Sequence, residues 1–313
     1  MNPVVGAAKA DKILSNFSQM YRNENYIAEQ ILPVLKVKEK TGKYAKYGKE
    51  NLRAYSGQLF RAPGTRAHSV DYSVSQGTYI CEERSVEKIV PLEMYKNTDD
   101  PYDPKRDATE VIMDNIWANQ ELALSTFMSN TANLTQNVTL SGTSQWTDKT
   151  NSDPLANIRT AIKTVKNATG IRPNSIAFGE TVFDALKDHP DIREQLKYTN
   201  GGQPSDDQLT AWLKTYFRLD NVFIGDAVYN SADEGQTDDL DAIWGGHAWV
   251  FYSTGKPSLM RATFGLTISD VPRQVDVRYD DDIIADIVRV RYSFDQNIFD
   301  VNLAYFIKDA VAA

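Results

Sequence analysis

The sequence predicts an α+β protein, and three observations carry that reading. An apolar stripe at helical spacing follows Asp103-Pro104, runs that alternate at period two stand on both sides of it, and residues 153–252 alternate between short apolar strands and amphipathic helices. A chain of 313 residues with 42% hydrophobic content can bury a sizeable core, divided between two subdomains.

The first 35 residues read as an arm. Ala10 to Tyr21 places Ile13, Leu14 and Phe17 at helical spacing, and Tyr26, Ile27, Ile31 and Leu32 form a second cluster that Pro33 closes. Such an arm packs either on its own domain or on a neighbouring subunit. From Lys36 to Arg66, nine cations (Lys36, Lys38, Lys40, Lys43, Lys46, Lys49, Arg53, Arg61 and Arg66) face only Glu39 and Glu50. That is a net +7, leaving −15 for the rest of a chain whose total is −8. Tyr44, Tyr47, Tyr55, Phe60 and Tyr72 are interleaved with these charges, which keeps open a stacking platform for single-stranded nucleic acid. The segment is poor in aliphatic residues and punctuated by Gly42, Gly48, Gly57, Pro63 and Gly64, so it cannot hold a core of its own. It is expected to project as a long two-stranded loop with its tip at Arg61 to His68, covered by a partner surface. Val86, Val90 and Leu92 continue the alternation into a further strand.

Asp103 is the expected N-cap of the longest helix and Pro104 its first residue, where the missing N–H costs nothing. Ala108, Val111, Ile112, Ile116, Ala123 and Phe127 form its apolar stripe, with Ile112, Ile116 and Phe127 as the candidate core; Asp107, Glu110, Asp114 and Glu121 are assigned to the polar surface. Roughly 25 residues at 1.5 Å each make a rod of about 37 Å, long enough to cross a domain. A Ser/Thr/Asn-rich stretch follows to Asp153. Asp153-Pro154 repeats the cap, with Leu155, Ile158, Ile162 and Val165 as a stripe and Gly170 as the stop. Ser175–Phe178, Asn221–Gly225 and Ala248–Tyr252 read as strands, and 180–186 and 209–217 as helices, together a compact α/β unit expected to hold its own core. In the tail, Val288, Val290, Tyr292 and Phe294 alternate, then Phe299, Val301, Leu303, Tyr305 and Ile307. The sequence predicts these as a hairpin turning at Asp295 to Asn297, a platform for the long helix.

No active site assembles from these residues. His68, His189 and His247 stand in three different contexts, and no His-X-Glu or Cys-X-X-Cys spacing supports a metal. Nucleophile elbow, dinucleotide turn and phosphate loop are absent; Gly255-Lys256-Pro257 has a proline where N–H donors are needed. Asp280, Asp281 and Asp282 read as a solvated loop, as do Asp238, Asp239 and Asp241, and Cys81, the only cysteine, as a packed thiol. No catalytic residue, cofactor or metal is therefore expected, and neither a secretory leader nor a membrane span is legible. The acidic balance, pI about 5.0, disfavours general nucleic-acid binding away from the basic segment.

The order of these segments carries a resemblance. A basic arm, a long loop ending near Arg61-Ala62-Pro63-Gly64-Thr65-Arg66, an acidic turn into a long helix, then Arg172-Pro173-Asn174-Ser175 before a strand are similar to tailed-phage major capsid proteins of the HK97 type. Phe183-Asp184-Ala185-Leu186 before His189-Pro190-Asp191, Lys197-Tyr198, Val228-Tyr229-Asn230, Ile243-Trp244-Gly245 and Phe264-Gly265 continue the match. The resemblance implies an N-terminal arm (1–37), an extended loop (38–84), a peripheral domain (85–150) with a spine helix (103–128), an axial domain (151–261) and return strands of the peripheral domain (262–313). It implies a structural subunit that assembles with itself through hexamers and pentamers into an icosahedral shell around double-stranded DNA, touched non-specifically. Scaffolding, portal and decoration proteins are the further partners it implies, and the virion, built in the host cytoplasm, the location. Lys40, Lys43, Lys46, Arg61 and Arg66 are the expected inter-subunit contacts in the loop. The rivals are an encapsulin-type cargo compartment, which shares the fold, and an enzyme whose site converges in the α/β unit.

Overall fold

The computed structural model describes residues 9–10, 26–47, 63–66, 74–96, 103–200, 205–232, 235–237 and 239–312. In chain order the strands are β1 (Lys9–Ala10), β2 (Val34–Lys36), β3 (Thr41–Tyr47), β4 (Val74–Ile80), β5 (Glu82–Pro91), β6 (Asn137–Thr139), β7 (Ser175–Gly179), β8 (Asn221–Gly225), β9 (Val228–Asn230), β10 (Leu240–Ala242), β11 (Ala248–Phe251), β12 (Gly265–Asp280), β13 (Ala285–Ile298) and β14 (Ala304–Lys308). The helices are α1 (Ala28–Ile31), α2 (Leu92–Lys96), α3 (Pro104–Met128), α4 (Pro154–Thr169), α5 (Glu180–Asp188), α6 (Pro190–Asn200) and α7 (Asp206–Phe217).

Two sheets of five strands share α3. The first runs β1-β12-β13-β5, with β2 on the same edge of β12 as β1; the second runs β6-β14-β11-β7-β8. Asp103 accepts from the N–H of Lys105 at 3.0 Å and starts α3 as its sequence requires. The first half of the helix lays Ala108, Ile112, Met113, Ile116 and Trp117 on Val275, Val288, Val290, Tyr292 and Phe294 of the first sheet. Its last turns leave that sheet and insert Leu124 and Met128 into a second core with Trp249, Phe251, Phe264 and Phe306. Because the helix serves two cores, its buried face is not one straight stripe. Val111 is 42% exposed, Ala123 is exposed and Phe127 half-buried, whereas Ile112 and Ile116 are buried.

Glu121, assigned to the polar surface by its position, is fully buried. Its carboxylate accepts from the backbone N–H groups of Ile27 (3.0 Å) and Ala28 (2.7 Å) at the start of α1, and from Trp244 Nε1 (2.5 Å). Burial pushes the carboxyl pKa above its ordinary value of 4.5, and the three donors pull it back only in part. One side chain of α3 thus ties the incoming chain to the loop before β11. The cluster Ile27, Ala28, Ile31 and Leu32 packs in this same core, so this part of the N-terminal segment docks on its own subunit. The helix expected over Ala10 to Tyr21 lies outside the described residues, except that Ala10 pairs as a strand with Asp276.

The second sheet is buried on both faces. Ile176, Phe178, Ala248, Val250, Tyr305 and Ile307 point to the core beneath α4–α7, while Ala177, Trp249, Phe251, Ala304 and Phe306 point to the core beneath α1 and the end of α3. The expected tail hairpin is not formed. β13 continues through Asp295–Asn297, which pair with Ile268 to Leu266 of β12, and β14 crosses into the second sheet between β6 and β11. Those polar residues mimic a turn but are engaged: Asp295 accepts from Ile80 N–H at 3.1 Å, Asn297 donates to Thr78 O at 3.1 Å, and Gln296 donates to Gln120 O at 3.2 Å. The true hairpin is β12–β13, turning at Asp281 to Ile284.

The α/β unit does not hold its own core either. Trp146, Tyr305, Ile307 and Ala310 belong to it, and β6 and β14 extend its sheet. A fragment of residues 151–261 is therefore expected to lack cooperative thermal unfolding, because removing β14 leaves one edge of β11 unpaired and takes Tyr305 and Ile307 out of the core; extending it to include 137–150 and 300–312 should restore a sharp transition by circular dichroism.

Candidate assembly surface

The ribbon is real at its base. β3 and β4 pair antiparallel from Thr41↔Ile80 to Tyr47↔Val74, which places Gly42 opposite Tyr79 and Gly77 opposite Tyr44. A Cβ on Gly42 would meet the Tyr79 ring at 2.7 Å and one on Gly77 the Tyr44 ring at 2.2 Å, so each ring lies across the bare backbone of the facing strand. Tyr44 stacks on Phe299 with centroids 3.9 Å apart, and both tyrosines close a core with Cys81, Leu266, Ile268 and Phe299. Burial pushes the Cys81 thiol up to about 11, which removes it as a nucleophile. Tyr44 and Tyr79 are each only 4% exposed, so neither offers its ring for bases to stack on. Tyr55, Phe60 and Tyr72 lie outside the described residues.

The candidate contact residues divide between faces. Lys43 is exposed on the side away from Tyr44, Lys40 is exposed just before the strand, and Lys46 is half-buried with its Nζ 5.5 Å from the Tyr44 ring centre. Arg66 is exposed; Arg61 lies outside the described residues. None of Lys40, Lys43, Lys46 and Arg66 forms an ion pair with a described residue. Beside the ribbon, β5 pairs among the described residues only with β13 and is exposed along nearly its whole length, including Val86, which the alternation turns inward. Its ionic partners lie on β12 and β13: Arg278 to Glu87 at 4.0 Å, Arg289 to Glu87 at 3.1 Å and Arg291 to Glu83 at 3.7 Å. At the tip of β12–β13, Tyr279, Ile283 and Ile284 are 48%, 47% and 62% exposed, next to Asp280–Asp282.

One Ser-His-Asp set invites a catalytic reading, and its polarity refuses it. Ser152 Oγ lies 3.2 Å from His189 Nε2, and Asp191 Oδ2 3.7 Å from Nδ1. Nδ1, however, accepts from the Asp191 N–H, and the Ser152 hydroxyl donates to Asp148 O at 2.7 Å. Nε2 must then carry the proton and donate to serine, the reverse of a general base, and the whole set caps the junction of α5 and α6. Among the described residues no group of three or more His, Cys, Asp or Glu side chains could hold a metal ion. Asp280 accepts from the N–H of Asp282, an ordinary turn contact.

The described residues thus hold the base of a basic ribbon anchored on a sheet, a long helix shared by two cores and a sheet edge at β5. The family described as phage major capsid protein E matches residues 119–269. The major capsid protein of Pseudomonas phage JBD67 is 29% identical over 97% of both chains. The chain is a relative of phage major capsid proteins. Like them it is a structural protein and not an enzyme. Its fold is the HK97-type capsid fold: a phage-related protein of Bordetella bronchiseptica superposes with a TM-score of 0.77 at 24% identity, covering 98% of this chain and 99% of that one. The capsid structure of cyanophage P-SCSP1u superposes with a TM-score of 0.53 at 11% identity, over 92% and 89% of the two chains. For this capsid-protein relative, the residues that sequence reasoning missed are Glu121 and Trp244. Glu121 has no motif around it, and its one legible sign was an acid placed one turn from the apolar end of the helix; Trp244 stands in the Ile243-Trp244-Gly245 match, which gives no hint that its indole N–H meets Glu121.

Proposed function

We propose that this chain is the coat subunit of an icosahedral phage shell, assembled through hexamers and pentamers around double-stranded DNA, with the ribbon reaching across to a neighbouring subunit. The observation that supports the reading is the base of the ribbon: Lys40, Lys43 and Lys46, which form no ion pair with a described residue, on a buried tyrosine–glycine base in an acidic chain. Charge of this kind steers and registers a partner more than it tightens it. The arm is assigned to 1–37, the extended loop to 38–84, the peripheral domain to 85–150 with the return strands of 262–313, and the axial domain to 151–261 completed by β6 and β14. Scaffolding, portal and decoration proteins complete the assembly, which forms in the host cytoplasm and ends in the virion.

Replacing Lys40, Lys43 and Lys46 together with Glu tests the contact. Exposed pairs contribute about 0–1 kcal/mol each, so three reversals repeated around every capsomer are expected to abolish particles while the subunit stays folded. Particle yield by sedimentation, beside circular dichroism of the subunit, measures both. Normal particles from the triple variant would refute the role given to these lysines, and normal particles that retain less nucleic acid would move the ribbon to the DNA instead.

A further inference from the structure

A second charged surface lies far from the ribbon in sequence, on the helical face of the second sheet. Arg159, Lys163 and Lys166 follow one another at four and three residues along α4, so they share one side of the helix. Together with Arg172, and over the ring of Tyr216, they line a recess of about 340 Å³. Arg172 is held there by donating to Phe217 O at 2.8 Å, and the Arg159 guanidinium sits 5.3 Å from the Tyr216 ring centre and bonds its hydroxyl. All four cations are exposed, and none forms an ion pair with a described residue. Four like charges gathered on an acidic chain repel one another unless an anion joins them.

Arg159 also lines a second recess, of about 450 Å³, whose other charged residues are Asp153, Asp191 and Glu194. Asp191 and Glu194 are exposed, and among the described residues neither pairs with a lysine or arginine; Asp191 lies 3.7 Å from Nδ1 of the buried His189. That histidine stays neutral, since burial holds its pKa below the ordinary 6.5. A basic and an acidic hollow of comparable size therefore adjoin on one face.

The adjoining hollows decide the class of partner. A nucleic-acid strand lying across both hollows would meet like charge in the acidic one. A protein surface carrying both signs meets no such conflict, and this chain presents one. From this juxtaposition we infer that the two hollows are the halves of a contact between copies of this chain, the acidic recess of one facing the basic recess of the next. The inference rests on the assembly reading above but concerns a different contact, one that orients the axial units independently of the ribbon.

The test uses two full-length variants: Arg159→Glu with Lys163→Glu and Lys166→Glu, which makes both hollows acidic, and Asp191→Lys with Glu194→Lys, which makes both basic. All five positions are exposed, so circular dichroism should match the wild type. Self-association is read by sedimentation of the subunits, which needs no closed shell, and particle yield is read alongside. Each variant alone should associate about tenfold or more weakly than wild type, and an equimolar mixture should recover association, since every contact then joins opposite signs. Defects that the mixture does not repair would overturn the pairing of copies, as would variants that associate normally. Normal association with lowered nucleic-acid retention would assign the basic hollow to phosphate and equally overturn it. If wild-type subunits associate but never close into shells, the shell reading fails while the mixture still decides this contact.

Discussion

Glu121→Ala is expected to be the most damaging single substitution in the chain. It removes the acceptor for Ile27 N–H, Ala28 N–H and Trp244 Nε1–H at a site with no exposure. Each of the three buried donors left unpaired costs about 1–3 kcal/mol, a sum of roughly 3–9 kcal/mol before counting the cavity. Glu121→Gln keeps one oxygen but turns the other into a donor facing an N–H, and should fall between alanine and wild type. Denaturant midpoints followed by tryptophan fluorescence rank the three. The pH dependence carries its own sign. With the folded pKa raised above 4.5, the native state holds its proton more tightly than the unfolded state. Stability from this group is therefore greatest at low pH, falls as pH rises from 4.5 through the folded value, and is flat above it. Comparing wild type with Glu121→Gln across that window isolates the slope; equal slopes in the two proteins would show that Glu121 does not titrate as its burial requires.

Ile116→Asp should cost nearly as much for a different reason. Ile116 is 4% exposed between α3 and the first sheet, packed in the cluster of Val288, Val290 and Tyr292. An aspartate there is desolvated among apolar side chains, at a cost of about 4 kcal/mol. The control is Val111→Asp, one turn away on the same helix but 42% exposed, where the change should stay within about 0.5 kcal/mol. Urea midpoints for both variants decide the matter: similar losses would mean that the buried face of α3 is misassigned.

The contrast between these neighbours shows how much of the molecule its sequence determined. Local chemistry was sufficient wherever a helix or strand is specified by its own residues. Asp103-Pro104 and Asp153-Pro154 start α3 and α4, Gly170 takes the left-handed stop, and Asn221–Gly225 pairs as a strand with the bounds its pattern announces. The charge split that singles out Lys40, Lys43 and Lys46 needed only counting. What the sequence could not carry was which partner each face meets. The stripe of α3 was drawn as if one sheet lay beneath it, but the helix passes from one core to another, so Val111 turns outward while Glu121 turns inward. Asp295–Asn297 carry the composition of a turn, yet they stay in β13 because Ile80, Thr78 and Gln120 supply their hydrogen bonds from far away in the chain. β14 alternates just as a hairpin partner of β13 would; only the fully buried gap between β6 and β11, lined by Trp249 and Phe251 on one side and by Val250 on the other, takes it into the second sheet. Periodicity fixes which residues of an element share a face, because that follows from backbone geometry. Which other element covers the face depends on contacts across the whole chain, and those exist only once it has folded.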